Sequence, residues 1–300
     1  GAGIGRLMAE KLAARGAEVI VTARRIAAAR EVVECIRNAG GNAHAYTLDV
    51  SKIATIARFR DKLHEERGPI SMLINNAGVV FGGEFEQVDL QRHLDTFKVN
   101  SEGLMACTHA FMDVLIAAPR AHLVNIASAS AFIGLPYGST YAASKWAVVG
   151  FSESLRLEML ERGLKQVKVT TVCPSYIATG MFKGVKTPLF SPMLTPNRVA
   201  DSILNGVAKG EAFVIEPPMA RSVELLKGVL PRKLWDQVAR RTGVSTSMYS
   251  WKGKDKGNDK GSEKGHTPLS ERTGARVEIG PPRTEPVGWD NLIRRREWSD

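Results

Sequence analysis

Short apolar, β-branched runs alternate with helical stretches through most of this 300-residue chain, and that alternation constrains the fold more than any other feature. Residues 19–23, 43–48, 72–74, 122–126, 167–172 and 212–215 read as strands. Between them, 6–14, 26–39, 53–67, 141–162 and 199–209 carry helical periodicity, and 90–118 holds one long helix or two. Gly40-Gly41 and Gly68-Pro69 stop the second and third helices. Strands that are apolar throughout, each followed by a helix, imply an α/β protein whose parallel sheet is covered on both faces. In such sheets ligands sit beyond the carboxyl ends of the strands. Residues that carry chemistry should therefore follow the strands.

The chain opens on Gly1-Ala2-Gly3-Ile4-Gly5, directly before a helix. Glycines let backbone N–H groups approach a pyrophosphate where the helix dipole favours an anion. The pattern is that of a Rossmann-type, doubly wound, single domain. The strand that should precede the glycines is absent, so a truncated start is expected. Thr22-Ala23-Arg24-Arg25 ends the next strand. An acidic residue here would suit the ribose hydroxyls of NAD, whereas paired guanidiniums suit a 2′-phosphate, so NADP(H) is favoured over NAD(H). The alternative for Arg24 and Arg25 is the solvated start of a helix. Asp49-Val50 follows the third strand, where Asp49 can accept from an adenine amino group, cap a helix, or do both. In Asn75-Asn76-Ala77-Gly78 the small residues let a backbone pass close to a cofactor ribose, while an asparagine ties strands together.

The most specific signal is Tyr141-Ala-Ala-Ser-Lys145. Positions four apart share a helix face. A phenol of pKa ~10 is a poor base near neutrality, and a neighbouring ammonium should lower that value. Tyrosine can then act as acid or base on an alcohol/carbonyl pair. Ser128, just past the strand at 122–126, can hydrogen-bond the same substrate oxygen. The alternative for each is an ordinary helix or loop residue. Their combination in a strand–loop–helix context argues against that.

With Gly3, Gly5, Asp49, Asn75-Asn76-Ala77-Gly78, Asn100, Ser128, Tyr141, Lys145 and Pro174 with Thr179, residues 1–216 resemble the short-chain dehydrogenase/reductase family. The resemblance implies Tyr141 as acid/base, Lys145 as its tuner and a ribose ligand, and Ser128 as substrate orienter. It also implies Asn100 as the holder of a water in a proton relay through Lys145. Gly3, Ile4, Gly5, Arg24, Arg25, Asp49, Val50, Asn76, Ala77, Gly78, Pro174, Ile177 and Thr179 would join Tyr141 and Lys145 around the cofactor. Ser175 departs from the glycine usual after that proline. Thr195-Pro196, Val199-Ala200, Glu216-Pro217 and Met248-x-x-Trp251 resemble the branch acting on retinoid, steroid or long-chain acyl alcohols and carbonyls. Residues 180–196 then form a substrate lid made apolar by Met181, Phe182, Leu189, Phe190, Met193 and Leu194. The alternative for that apolar set is plain core.

The remaining sequence bounds the setting. Residues 217–251 form a C-terminal extension, basic and amphipathic over 221–241, that is either a solvated helix or a peripheral membrane contact. Residues 252–300 are rich in glycine and mixed charge, and are expected to be disordered. The net charge of +10 is spread along the chain, without the aromatic interleaving of a nucleic-acid binder, so no nucleic-acid partner is expected. Three scattered cysteines and six histidines show no metal spacing, and a reducing, cytoplasmic setting is expected. The helices at 90–118 and 141–162 suit a homodimer or homotetramer interface. A non-catalytic dinucleotide-binding sensor or scaffold is the rival reading.

Overall fold

The computed structural model describes residues 3–189 and 191–251. Phe190 and the tail at 252–300 lie outside the described residues, so the expectations for them are not addressed. Among the described residues, six strands and nine α-helices order as α1 (Ile4–Ala13), β1 (Glu18–Ala23), α2 (Ile26–Asn38), β2 (Asn42–Thr47), α3 (Ile56–Arg67), β3 (Met72–Asn75), α4 (Leu90–Phe97), α5 (Gly103–Ala117), β4 (Ala121–Ile126), α6 (Ser139–Glu161), β5 (Val167–Pro174), α7 (Pro196–Lys209), β6 (Phe213–Glu216), α8 (Ala220–Val229) and α9 (Arg232–Arg241). The helical run at 90–118 is two helices joined by a single π turn, Lys98–Glu102.

Every strand pairing is parallel, but the strands form two sheets, β2–β1 and β3–β4–β5–β6. β4 is buried at every position and β5 at all but Lys168. Helices cover these strands through Met8, Ile203, Val199 and Val124 in one cluster and Leu115, Leu123, Met159 and Val169 in another. Each such fully buried aliphatic side chain is worth ~1.5–3 kcal/mol over exposure. α7 shows how local sequence sets an end: Thr195 accepts from the Arg198 N–H, Pro196 opens the helix, and Gly210 closes it in the left-handed region.

The facing edges of the two sheets are not paired with each other. Between them lies a cavity of about 630 Å³, lined by residues 17–23, which include β1, and 68–77, which include β3, and also by Met8, Leu12, Leu63 and Phe111. Among the described residues no strand precedes α1. The carboxyl ends of β1, β3, β4 and β5 deliver Arg24, Asn76, Ser128 and Ile177 into the loops that build the site.

Candidate active site

α1 begins at Ile4 with no side-chain cap and no acidic residue in its first turn. Gly3 precedes it with φ +93°, a conformation that L side chains rarely adopt, and a Cβ there would meet the Thr179 methyl at 3.5 Å. A Cβ on Gly5 would stand 2.5 Å from the Asn76 side-chain nitrogen. The glycine turn therefore packs directly on the loops after β3 and β5. Gly78 continues this contact, since a Cβ on it would lie 3.4 Å from Asn100 Oδ1 and 3.7 Å from Lys145 Nζ. Three segments distant in sequence thus meet at glycines that let backbone approach side chain closely.

Arg24 and Arg25 are exposed at the end of β1, where Arg25 precedes the first residue of α2. Asp49 caps no helix, contrary to one expectation. Its Oδ1 accepts from the N–H (3.1 Å) and hydroxyl (2.7 Å) of Ser51, an Asx turn. Lys52 and Thr55 occupy the cap positions that follow. Burial disfavours the Asp49 carboxylate, but the two Ser51 hydrogen bonds and the Arg24 charge outweigh it and hold the carboxyl below its usual range. Val50 packs against Gly103.

Tyr141, Ser144 and Lys145 lie on the buried face of α6. Asn100, in the π turn, donates from Nδ2 to Val79 O (2.9 Å) and Ser144 Oγ (3.0 Å), while its Oδ1 accepts the Val79 N–H (2.8 Å). Ser144 donates to Tyr141 O at 2.7 Å. A continuous polar chain therefore fixes the β3 loop against the first turn of α6. π turns recur at functional sites because the extra residue re-aims a side chain. Ser144 and Ser101, which donates to Ser144 O, were not singled out in the sequence, where serines on a helix look ordinary. Asn75 bonds Asn125 Oδ1 at 2.9 Å and so ties β3 to β4, as expected of an asparagine there.

Tyr141 and Lys145 share a face as their spacing requires, with Nζ 5.8 Å from the phenol ring centroid. Their acidities run against the sequence expectation. Burial pushes the Tyr141 hydroxyl up to about 12 despite a hydrogen bond with the Ser128 side chain. Burial pulls the Lys145 ammonium down to about 8, a neighbouring Cys173 opposing it. The cation one turn away does not offset the loss of water around both groups. Lys145 is 4% exposed, and its hydrogen bond goes to Ile126 O at 2.8 Å. An ammonium has three donors, so two remain beyond this bond, and Nζ lies close to Gly78. Ser128 also accepts from the Ser130 N–H at 3.2 Å, and the Ser130 hydroxyl beside it is buried without a partner.

The cover over this centre is aromatic. Phe182 makes edge contacts with Tyr141 (6.0 Å) and Tyr176 (5.2 Å). Met181, Val185, Tyr137, Met248 and Trp251 complete the cluster. Of the expected apolar lid, Met181 and Phe182 face the centre, Leu189 and Met193 are exposed, and Leu194 is core, bridging Ile177. Pro174, Ile177 and Thr179 stand where β5 ends, with Ile177 packed beside Ile4 and Met8.

A family model described as short chain dehydrogenase matches residues 1–189. Mouse epidermal retinol dehydrogenase 2 is 34% identical over 259 residues, covering 85% of this chain and 84% of that protein. Rat estradiol 17-beta-dehydrogenase 11 is 30% identical over 244 residues, covering 81% and 82%. Among solved structures, a short chain dehydrogenase/reductase from Burkholderia phymatum in complex with NAD aligns with TM-score 0.69 and 25% identity over 76% of this chain and 90% of that one. A metagenomic short-chain oxidoreductase in complex with NADP aligns with TM-score 0.59 and 30% identity over 70% and 86%.

Proposed function

Because the chain belongs to the short-chain dehydrogenase/reductase family, a family of oxidoreductases, we propose that it interconverts an alcohol and a carbonyl on a lipophilic substrate with NADP(H), Tyr141 serving as acid/base. The observation that carries this reading is the meeting of Ser128, Tyr141 and a buried Lys145 with donors to spare, under an aromatic cover.

The residues present fit a dinucleotide. The uncapped first turn of α1, at Gly3, Ile4 and Gly5, suits the pyrophosphate. Arg24 and Arg25 suit a 2′-phosphate, Asp49 and Val50 the adenine, and Asn76, Ala77 and Gly78 the ribose beside Lys145. Pro174, Ile177 and Thr179 would flank the nicotinamide. When bound, the dinucleotide supplies or accepts the hydride. Ser128 donates to the substrate oxygen and so favours the charge that develops there. Tyr141, a neutral phenol at physiological pH, gives its proton to that oxygen in carbonyl reduction and must regain it for each turn. Lys145 is charged below pH about 8, and there it orients ribose hydroxyls and favours the phenolate left behind. Asn100 fixes the Val79 backbone and Ser144, and is read as the positioning residue through which protons reach Lys145.

The lipophilic substrate class rests on the apolar cluster of Val80, Leu135, Tyr176, Phe182 and Met248 over Tyr141, and on relatives named for retinol and estradiol. The three thiols are free, in keeping with a reducing, cytoplasmic setting. Exposed Leu90 and Leu94 on α4, with Leu157 and Leu160 on α6, offer a face for a homodimer or homotetramer. Residues 221–241 are read as a peripheral membrane contact. No described helix is long and apolar enough to cross a membrane.

The decisive experiment is Tyr141→Phe, followed by turnover of long-chain, retinoid and steroid alcohols and by NADPH titration. Turnover should fall by ~10²–10⁴-fold with dinucleotide affinity unchanged. Retained turnover would remove Tyr141 from the chemistry.

A further inference from the structure

We propose that α8 and α9 dock on an anionic lipid surface and that this docking loosens the segment covering Tyr141, so that the bilayer admits substrate to the site. The inference rests on the lipophilic-substrate reading for its purpose, but the docking itself does not depend on it.

α8 has no buried residue. Its apolar Leu225, Leu226 and Val229 share a face, since they follow Ser222 at i+3, i+4 and i+7, and therefore form one stripe. Leu225 and Val229 are 69% and 73% exposed, and Leu226 and Met219 are exposed beside them. Lys227 points the other way: its Nζ donates to Phe132 O at 3.0 Å and lies 4.2 Å over the Trp146 ring. The inward face of α8 is thus anchored and the apolar stripe faces outward. On α9, Lys233, Gln237, Arg240 and Arg241 are exposed at i, i+4, i+7, i+8, while Ala239 is buried. Over 219–243 there are six basic residues and two acidic ones. An apolar stripe joined to a basic stripe matches the chemistry of an anionic leaflet, with acyl chains for one and headgroups for the other. A second copy of this chain would meet the basic stripe with its own positive charge.

The C-terminal end of α9 is tied to the cover of the site. Thr242, its C-cap, accepts from the Leu189 N–H at 2.8 Å. Ser247 O accepts from the Lys186 N–H at 3.2 Å, and Ser247 Oγ accepts from the Tyr176 hydroxyl at 2.7 Å. Trp251 Nε1 donates to Met181 O at 3.1 Å. Residues 181–189 therefore hang between the phenol they cover and the segment that follows α9. Tyr141 is 6% exposed beneath Phe182, so a substrate reaches it only when this cover shifts. A surface that moves α9 moves the cover with it.

The test uses the full chain, Leu225→Glu/Val229→Glu and Arg240→Gln/Arg241→Gln, with phosphatidylcholine vesicles with and without phosphatidylserine. Flotation should require phosphatidylserine or be strongly favoured by it. At low salt it should weaken roughly 20–30-fold in the arginine pair, since each basic residue near such a surface is worth about fivefold. It should be lost in the leucine–valine pair. Tryptic cleavage after Lys183 and Lys186 should speed up several-fold when wild type, but neither variant, meets phosphatidylserine vesicles. Wild type that does not float, or variants that float equally well, would overturn the docking. Flotation without faster cleavage would overturn the coupling. Light scattering that shows a dimer abolished by Leu225→Glu/Val229→Glu would assign the stripe to a second copy instead. Flotation and cleavage as expected, with no alcohol turned over, would leave this inference standing and sink the enzymatic reading.

Discussion

Replacing Lys145 by methionine should stabilise the ligand-free protein below pH 8 and lose that advantage as pH rises toward 10.5. The ammonium is buried, and burial lowers its pKa from 10.5 to about 8. Folding at neutral pH therefore confines a proton that the folded state binds more weakly than the unfolded chain does. Each pH unit between those values corresponds to ~1.4 kcal/mol, so the charge costs about 3 kcal/mol below pH 8. The sign follows from proton counts. Between about 8 and 10.5 the unfolded chain holds the proton and the folded one does not, so wild-type stability rises with pH through that window relative to the variant. Methionine keeps most of the volume but leaves Ile126 O without its 2.8 Å donor, a loss of about 1 kcal/mol. The net expectation is a variant about 2 kcal/mol more stable at pH 6.5 and about 1 kcal/mol less stable at pH 10.5. Urea unfolding of both proteins at half-unit pH steps measures the difference directly, because all other titrations cancel between them. A difference that stays flat with pH would refute the claim that Lys145 carries a buried, uncompensated charge. The same substitution should abolish dinucleotide binding, which separates a stability penalty from a functional gain.

Arg24→Ala/Arg25→Ala should weaken NADPH at least tenfold while sparing NADH, measured by fluorescence titration; equal losses would remove the 2′-phosphate assignment. Asn100→Ala should destabilise by ~1–3 kcal/mol, because it leaves both Val79 backbone groups and the Ser144 hydroxyl short of a partner, and thermal unfolding reads this. In the same variant kcat should fall more than KM rises, and a change in KM alone would reduce Asn100 to a substrate contact. Dinucleotide affinity of wild type should decline as pH rises through about 8, where Lys145 loses its charge, and a flat profile to pH 9.5 would argue against its ribose contact.

The elements were most legible where a strand buries both faces, as β4 and β5 do, and where glycine follows a helix closely, as after α2 and α3. Residues 19–23 and 122–126 announce themselves as β-branched or apolar runs, and β1 and β4 begin within one residue of them. The chemistry at Tyr141, Lys145 and Ser128 was legible for a related reason. Helix spacing and the strand–loop rule fix which residues share a face without reference to distant partners. What sequence could not supply was anything set by close approach between remote segments. The Asn100–Ser144–Tyr141 chain, the contact of Gly5 with Asn76, and the Phe182 cover all join positions separated by tens of residues. Asp49 shows the same limit at short range: it accepts the N–H two residues on, as Asp89 does at the cap of α4, and only the absence of a helix directly after it separates the two cases.

The reversed acidities of Tyr141 and Lys145 are the instructive difference. Proximity of a cation favours a phenolate, and the spacing delivers that proximity. Yet desolvation scales with how completely a site is enclosed, which a four-residue interval does not encode. The same residues that make the pocket suit a lipophilic substrate, Phe182, Tyr176 and Met248, pack around Tyr141 and remove the water that would keep the phenol near its ordinary value. Enclosure and acid/base competence therefore oppose each other in this site. Their reconciliation has to come from groups that approach Lys145 beside Gly78, or Tyr141 once the cover at 181–189 shifts. A variant that thins the cover alone, Phe182→Ala, should bring the Tyr141 pKa down toward 10, read by ultraviolet titration of the phenol. If it does not, burial by the cover is not what raises it.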